Sequence, residues 1–285
     1  MLKECTERDV DLYADFAYEL AMDLKKSAYP TYCDGMKTKE MFIKQLRDAY
    51  EDEYEENLLF EYEGKIEGII QYYWIPEEKY IQTEVFNINK ATKQAIAEFL
   101  EYVGERLKGY DLYLGFPREN EAAIDCFEEL KFRCIESDYD NIAFVDKLGD
   151  IKKSTGVIRI NKDNFESFRV LHSQNEEDMY WTSDRILEDL DNWNIFVKEK
   201  NETSKGAIFY TGSAESGFEI FGTDMNNNEY DEDLFKDLLY AVLADVKAKG
   251  GRFIGFFSDE EAEKATLECG FVLVGEYRCY KAHLE

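Results

Sequence analysis

The first half of the chain returns, diverged but in step, about 139 positions later, a spacing far beyond the roughly 20–50 residues of solenoid repeats. Shifted by that amount, Ile81 falls on Ile220, Asn87 on Asn226, Phe99 on Leu238, Val103 on Val242, Ala123 on Ala262 and Phe132 on Phe271. A repeat of this length is a whole domain, since about 100–150 residues is the usual size of one hydrophobic core. The 285 residues therefore read as two copies, 1–146 and 156–285. The polar stretch 146–156, with Gly149, Ser154, Thr155 and Gly156, suits a short connection.

Each copy shows the same alternation of periods. In the first, helical spacing over 8–26 and 38–50 precedes apolar strands at 58–62, 66–75 and 81–88. Ala95, Ile96, Phe99, Leu100, Val103 and Leu107 then predict a core-facing helix over 91–107. A strand at 111–116 follows, then a helix at 120–130 and a closing hairpin turning at 138–141. The second copy repeats the order, with its long helix at 231–249. Both are predicted to be α+β, each a twisted mixed sheet flanked by helices.

The formal net charge of −28, from 62 acidic and 34 basic residues, is spread over both halves. Such a surface repels phosphate backbones and anionic lipid and attracts cationic amines, so neither a nucleic acid nor a membrane is an expected partner. Six cysteines without a C-x-x-C pair read as reduced thiols, and His172 and His283, the only histidines, supply no metal site. Acidic residues interrupt the first twenty positions and no uncharged run approaches the roughly 18 residues of a membrane span, so a cytoplasmic protein is expected. Two copies on one chain can stand in for a dimer, so a monomer is expected.

The element order resembles the GNAT acyltransferase domain, and so does a strand followed by N-x-x-A-x-x-x-Y-x-x-x-G-F. Here residues 112–116 are followed by Asn120, Ala123, Phe127, Lys131 and Phe132, and the second copy has Asp259, Ala262, Thr266, Gly270 and Phe271. The resemblance implies acetyl transfer from acetyl-CoA to a small, cationic amine. It places the coenzyme against Val85, Phe86 and Asn87, the helix start at Lys90 and Lys93, and Asn120. It also makes Glu84 the candidate base, with Glu219 and Asp224 on the equivalent strand of the second copy. Strict alternation puts Glu84 with Gln82 and Phe86 on one sheet face, and a solvated face is the simpler reason for an acid there. Tyr29, Tyr32 and Tyr73 are the candidate substrate contacts; Met179, Tyr180 and Trp181 hold the corresponding segment of the second copy.

Two departures weigh against this chemistry. The glycine-rich phosphate loop that the family places before the long helix is absent from 91–96, and in the second copy Asp231, Glu232 and Asp233 stand there. The tyrosine thought to protonate the leaving thiolate is replaced by Phe127 and Thr266. The alternative reading is a non-catalytic binding or regulatory module that keeps the fold and has lost its coenzyme grip.

Overall fold

Thr6 opens the first helix because its hydroxyl accepts from the Asp9 N–H while the Asp9 carboxylate accepts from the Thr6 N–H, satisfying two otherwise orphaned donors. The computed structural model describes residues 1–176, 179–201 and 203–285. These divide into two units, Met1–Asp138 with Gly275–Glu285, and Tyr139–Val274.

Unit 1 runs β1 (Leu2–Glu4), α1 (Glu7–Ala21), α2 (Lys39–Asp48), β2 (Glu55–Tyr62), β3 (Lys65–Ile75), β4 (Tyr80–Ile88), α3 (Thr92–Arg106), β5 (Asp111–Pro117) and α4 (Glu121–Glu129). Strands β1 to β4 pair antiparallel in sequence order, and β4 pairs parallel with β5. One sheet face buries Phe86 and Phe116 under Phe99 of α3 and Phe127 of α4. The other buries Leu59, Ile69 and Val85 under Val10, Ala14, Phe42 and Leu46 of α1 and α2.

Unit 2 contains β7 (Val157–Arg159), α5 (Glu166–His172), α6 (Ser183–Glu188), β8 (Asn194–Lys200), β9 (Thr203–Ser213), β10 (Gly217–Met225), α7 (Glu232–Ala248), β11 (Ile254–Ser258) and α8 (Glu260–Glu268). Strands β7 to β10 pair antiparallel, and β10 pairs parallel with β11. The order of unit 1 is thus repeated.

The closing hairpins are not formed. Residues 133–143 make one strand, β6 (Arg133–Ala143), and 272–283 another, β12 (Val272–His283). Residues 139–143 pair with β11 in unit 2, and residues 277–283 pair with β5 in unit 1. Each unit therefore takes its last strand from the other half of the sequence, and the division does not fall in 146–156. Tight hairpin turns need residues at positive φ. None of the positive-φ residues lies within 133–143, so the chain runs straight through the predicted turn.

Candidate active site

The centre of unit 1 is a bulge. Gln71 of β3 is opposite Val85 and Tyr72 is opposite Thr83, which leaves Glu84 as the extra residue in β4. A bulge breaks the two-residue alternation and re-aims the side chain. Glu84 therefore does not share a face with Phe86, as alternation predicted. Phe86 enters the α3–α4 core, and Glu84 points to the α2 side.

There the Gln45 amide of α2 joins the site together. Gln45 Nε2 donates to Glu84 Oε2 at 3.0 Å and to Gln71 Oε1 at 2.8 Å, while its Oε1 accepts from the Tyr32 hydroxyl at 2.7 Å. Burial pushes the Glu84 carboxyl above its usual range, against the opposing pull of Lys37 and the Gln45 hydrogen bond. Glu55, at the start of β2, is pushed up to about 7 by burial and by the charge of Glu84, with smaller contributions from Asp52 and Asp48.

Two clefts meet at this carboxylate pair. One, of about 350 Å³, is lined by Tyr32, Met41, Gln45, Asp48 and Glu55 as well as Glu84, and by two cations, Lys37 and Lys44, the second paired with Asp48. The other, of about 370 Å³, adds Asp52, Glu77, Tyr54, Tyr73 and Trp74. Carboxylates beside aromatic faces suit an ammonium group, which gains from both. Tyr32 and Tyr73 thus stand in the cleft walls, where Tyr73 also bonds Gln82 at 3.0 Å. Tyr29 lines neither cleft: its ring packs edge-on against Tyr277 at 4.9 Å.

The residues assigned to the coenzyme lie elsewhere and are engaged. Strands β4 and β5 pair only over Tyr80, Ile81 and Gln82 against Asp111, Leu112 and Tyr113. Beyond that, residues 26–29 bridge the two strands. The Ile88 N–H donates to the Lys26 carbonyl at 2.9 Å and the Tyr29 N–H to the Gly115 carbonyl at 3.0 Å. Asn87 Oδ1 accepts from the Ala28 N–H at 3.3 Å, and Asn120 Nδ2 donates to the Ser27 carbonyl at 3.0 Å while Asn120 Oδ1 caps α4. Val85 and Phe86 are buried on opposite faces of the sheet. At the start of α3, Ala91 is left-handed and caps with no side chain, but Lys93 is 2.6 Å from Glu129 and Lys90 is 3.7 Å from Glu67. The cations suit phosphates; the edge of β4 does not accept a thioester arm while residues 26–29 hold it. Phe127 is buried in the core and carries no proton to donate.

Unit 2 does not repeat this arrangement. Pairing aligns Ile88, opposite Gly68, with Met225, opposite Gly206, an offset of 137, whereas the helix caps Asn120 and Asp259 are 139 apart. The turn 226–231, three residues longer than 89–91, raises the offset to 140 at the start of the long helix, so a single shift of 139 misaligns the strands. Phe221 is the extra residue of the β10 bulge and stands where Glu84 stands in β4. Asp224 corresponds to Asn87, and its two oxygens are taken by His172 and Asn175, at 2.8 and 2.7 Å. Asp231 caps α7 through the Leu234 N–H, and Glu232 is paired with Lys236. Tyr180 and Met179 are exposed, while Trp181 packs on Trp193 at 5.1 Å. Among the described residues no group of three or more His, Cys, Asp or Glu could hold a metal ion, and no helix is long and apolar enough to cross a membrane.

No family model and no curated protein sequence matches the chain. Solved structures do. A GCN5-related N-acetyltransferase from Sphaerobacter thermophilus is similar over 100% of this chain and 96% of its own, with a TM-score of 0.66 at 10% identity. A tandem GNAT protein from the clavulanic acid biosynthesis pathway is similar over 100% and 98%, with a TM-score of 0.55 at 10% identity. A functionally unknown conserved protein from Staphylococcus epidermidis ATCC 12228 is similar over 76% and 91%, with a TM-score of 0.55 at 13% identity. At these identities the likeness concerns architecture, and it agrees with the strand order and the repeat: the chain has the fold of the GCN5-related N-acetyltransferases, in two copies.

Proposed function

We propose that the chain is an N-acyltransferase whose chemistry resides in unit 1, with a cationic amine as acceptor and acetyl-CoA as donor. The observation that carries this reading is Glu84, a carboxylate set apart by a bulge, held by Gln45 and facing an acidic cleft walled by Tyr54, Tyr73 and Trp74. An amine reaches the protein as an ammonium ion and must lose a proton before it can attack a carbonyl. Glu84 is the acceptor for that proton, and its raised affinity for protons brings it nearer the value that favours general base catalysis at neutral pH. Tyr32 fixes Gln45, and Gln45 fixes Glu84. The acyl group arrives as a thioester on the coenzyme.

The test is release of free thiol from acetyl-CoA in the presence of an amine panel. Cationic amines are expected to give turnover, and neutral amides none. Amine binding by calorimetry without thiol release from any amine would instead establish the non-catalytic binding module, which the bridging of β4 and β5 by residues 26–29 favours.

The same cleft makes a pH-dependent prediction that needs no donor. A cation favours the ionised form of Glu55, so the affinity for 1,4-diaminobutane should rise as pH passes upward through about 7. Glu55→Gln should flatten that rise. Calorimetry at pH 6 to 8, values chosen to bracket about one unit either side of that titration, measures both; an affinity independent of pH in the wild-type protein removes Glu55 from the amine site.

A further inference from the structure

We infer that residues 26–29 are a displaceable strap that holds the coenzyme position of unit 1 closed, so that an acyl-coenzyme A arm binds by replacing this segment between β4 and β5. The inference rests on the donor named in the proposed function, and it follows from a disagreement between that donor and the geometry.

The strap uses the hydrogen-bonding groups that two separating parallel strands leave unpaired. The Ile88 N–H and Gly115 C=O would otherwise be orphaned where β4 and β5 part, and the strap satisfies them with the Lys26 carbonyl and the Tyr29 N–H. Asn87 and Asn120 hold its middle from either side, through the Ala28 N–H and the Ser27 carbonyl. Its occupancy is thus specific, and every one of these contacts is to backbone. The arm of coenzyme A carries two amides, which offer the same donors and acceptors as a short length of backbone.

Two features mark the strap as held weakly for its burial. The hydroxyls of Ser27 and of Thr31, two residues beyond the strap, have no hydrogen-bond partner among the described residues, although the two residues are only 1% and 3% exposed. A buried, unpaired hydroxyl regains its hydrogen bonds on return to water, so both favour the displaced form. The apolar side chain that the strap contributes to the α3–α4 core is only a methyl group, that of Ala28. The strap also lies between the end of α1 and the start of α2, where the backbone follows turns and bends, so its release unwinds neither helix.

The reading makes coenzyme affinity depend on the fraction of molecules with the strap out, since only that fraction accepts the arm. Hydrogen exchange on the full chain tests it directly with coenzyme A as the probe. Adding the coenzyme should speed exchange of the Ala28 and Tyr29 amides about tenfold or more while the Ile88 amide stays protected, because its acceptor is exchanged for another. Ala28→Asp, which places a charge in the core and so expels the strap, should tighten coenzyme A binding by about tenfold or more in calorimetry. Ala28→Pro, which deletes the donor to Asn87, serves the same end with less disturbance should the aspartate variant fail to fold. Coenzyme A binding that leaves the Ala28 and Tyr29 amides unchanged, or no binding by either the wild-type or a folded strap variant, overturns the inference. Binding that behaves as expected with no amine acylated would retain the strap and overturn the proposed activity instead.

Discussion

Glu84→Gln is expected to lower the rate of amine acylation by about 10²–10⁴-fold, the usual contribution of a positioned general base. Glutamine keeps the size of the side chain and an acceptor for Gln45 Nε2, so the bulge and the cleft wall are retained. Only the proton acceptor is lost. Because Glu84 works as the carboxylate, kcat/KM should fall as the pH drops through its folded value, which burial holds above the ordinary carboxylate range. The variant should lose that acidic limb. Initial rates across pH 5 to 8, a range set around the roughly 4.3 of an unperturbed glutamate and the neutral region above it, read both effects. Unchanged turnover, or an acidic limb that survives the substitution, would take Glu84 out of the mechanism. Coenzyme affinity should not move, since the residues bridged by the strap lie beyond the bulge.

The parts of this site differ in how far they could be read from the amino acids. Helices and strands were legible because their burial follows a period: Ala95, Ile96, Phe99 and Val103 all face the core of α3 as spaced. Glu84 was found as an acid inside an apolar strand, but its direction was not, because a bulge depends on how β3 is paired and no glycine marks it. The exchange of final strands escaped for a related reason. Residues 138–141 are polar enough for a turn, yet a tight two-residue hairpin turn needs positive φ, and that is a property of the folded backbone. The strap was least legible. The resemblance sets Asn87 and Asn120 against a coenzyme; buried polar side chains need partners, and theirs is a segment some 60 and 90 positions away in the same chain. Tyr29 shares a segment with Tyr32 in the sequence, yet its ring packs on Tyr277 and its N–H bonds the Gly115 carbonyl, contacts that no local pattern encodes.

His172 has no metal-binding neighbours in the sequence, and it is the residue on which unit 2 is expected to depend most. Its Nδ1 is 2.8 Å from Asp224 Oδ2 and its Nε2 is 2.7 Å from the Trp181 carbonyl. Both partners are acceptors, so the doubly protonated ring satisfies them together. Phe168 stacks on one face at 4.9 Å and Phe209 meets it edge-on at 5.1 Å. Desolvation opposes the charge, but the Asp224 hydrogen bond and charge, the Trp181 carbonyl and the charge of Glu176 outweigh it, and the folded value is raised above 6.5. A group raised on folding stabilises fully below its unfolded value and loses that contribution as pH climbs through the folded one. Unit 2 should therefore lose stability as the pH rises from about 6.5 through that higher folded value. Asp224→Ala leaves a buried ring nitrogen and the Asn175 amide without their acceptor, and should cost unit 2 about 3–5 kcal/mol, as the breaking of a buried charged pair does. Urea unfolding followed through Trp181 and Trp193, in a Trp74→Phe background that silences unit 1, isolates the effect. A loss below about 1 kcal/mol, the scale of an exposed pair, would mean that the contact with Asp224 does not hold the ring in its charged form.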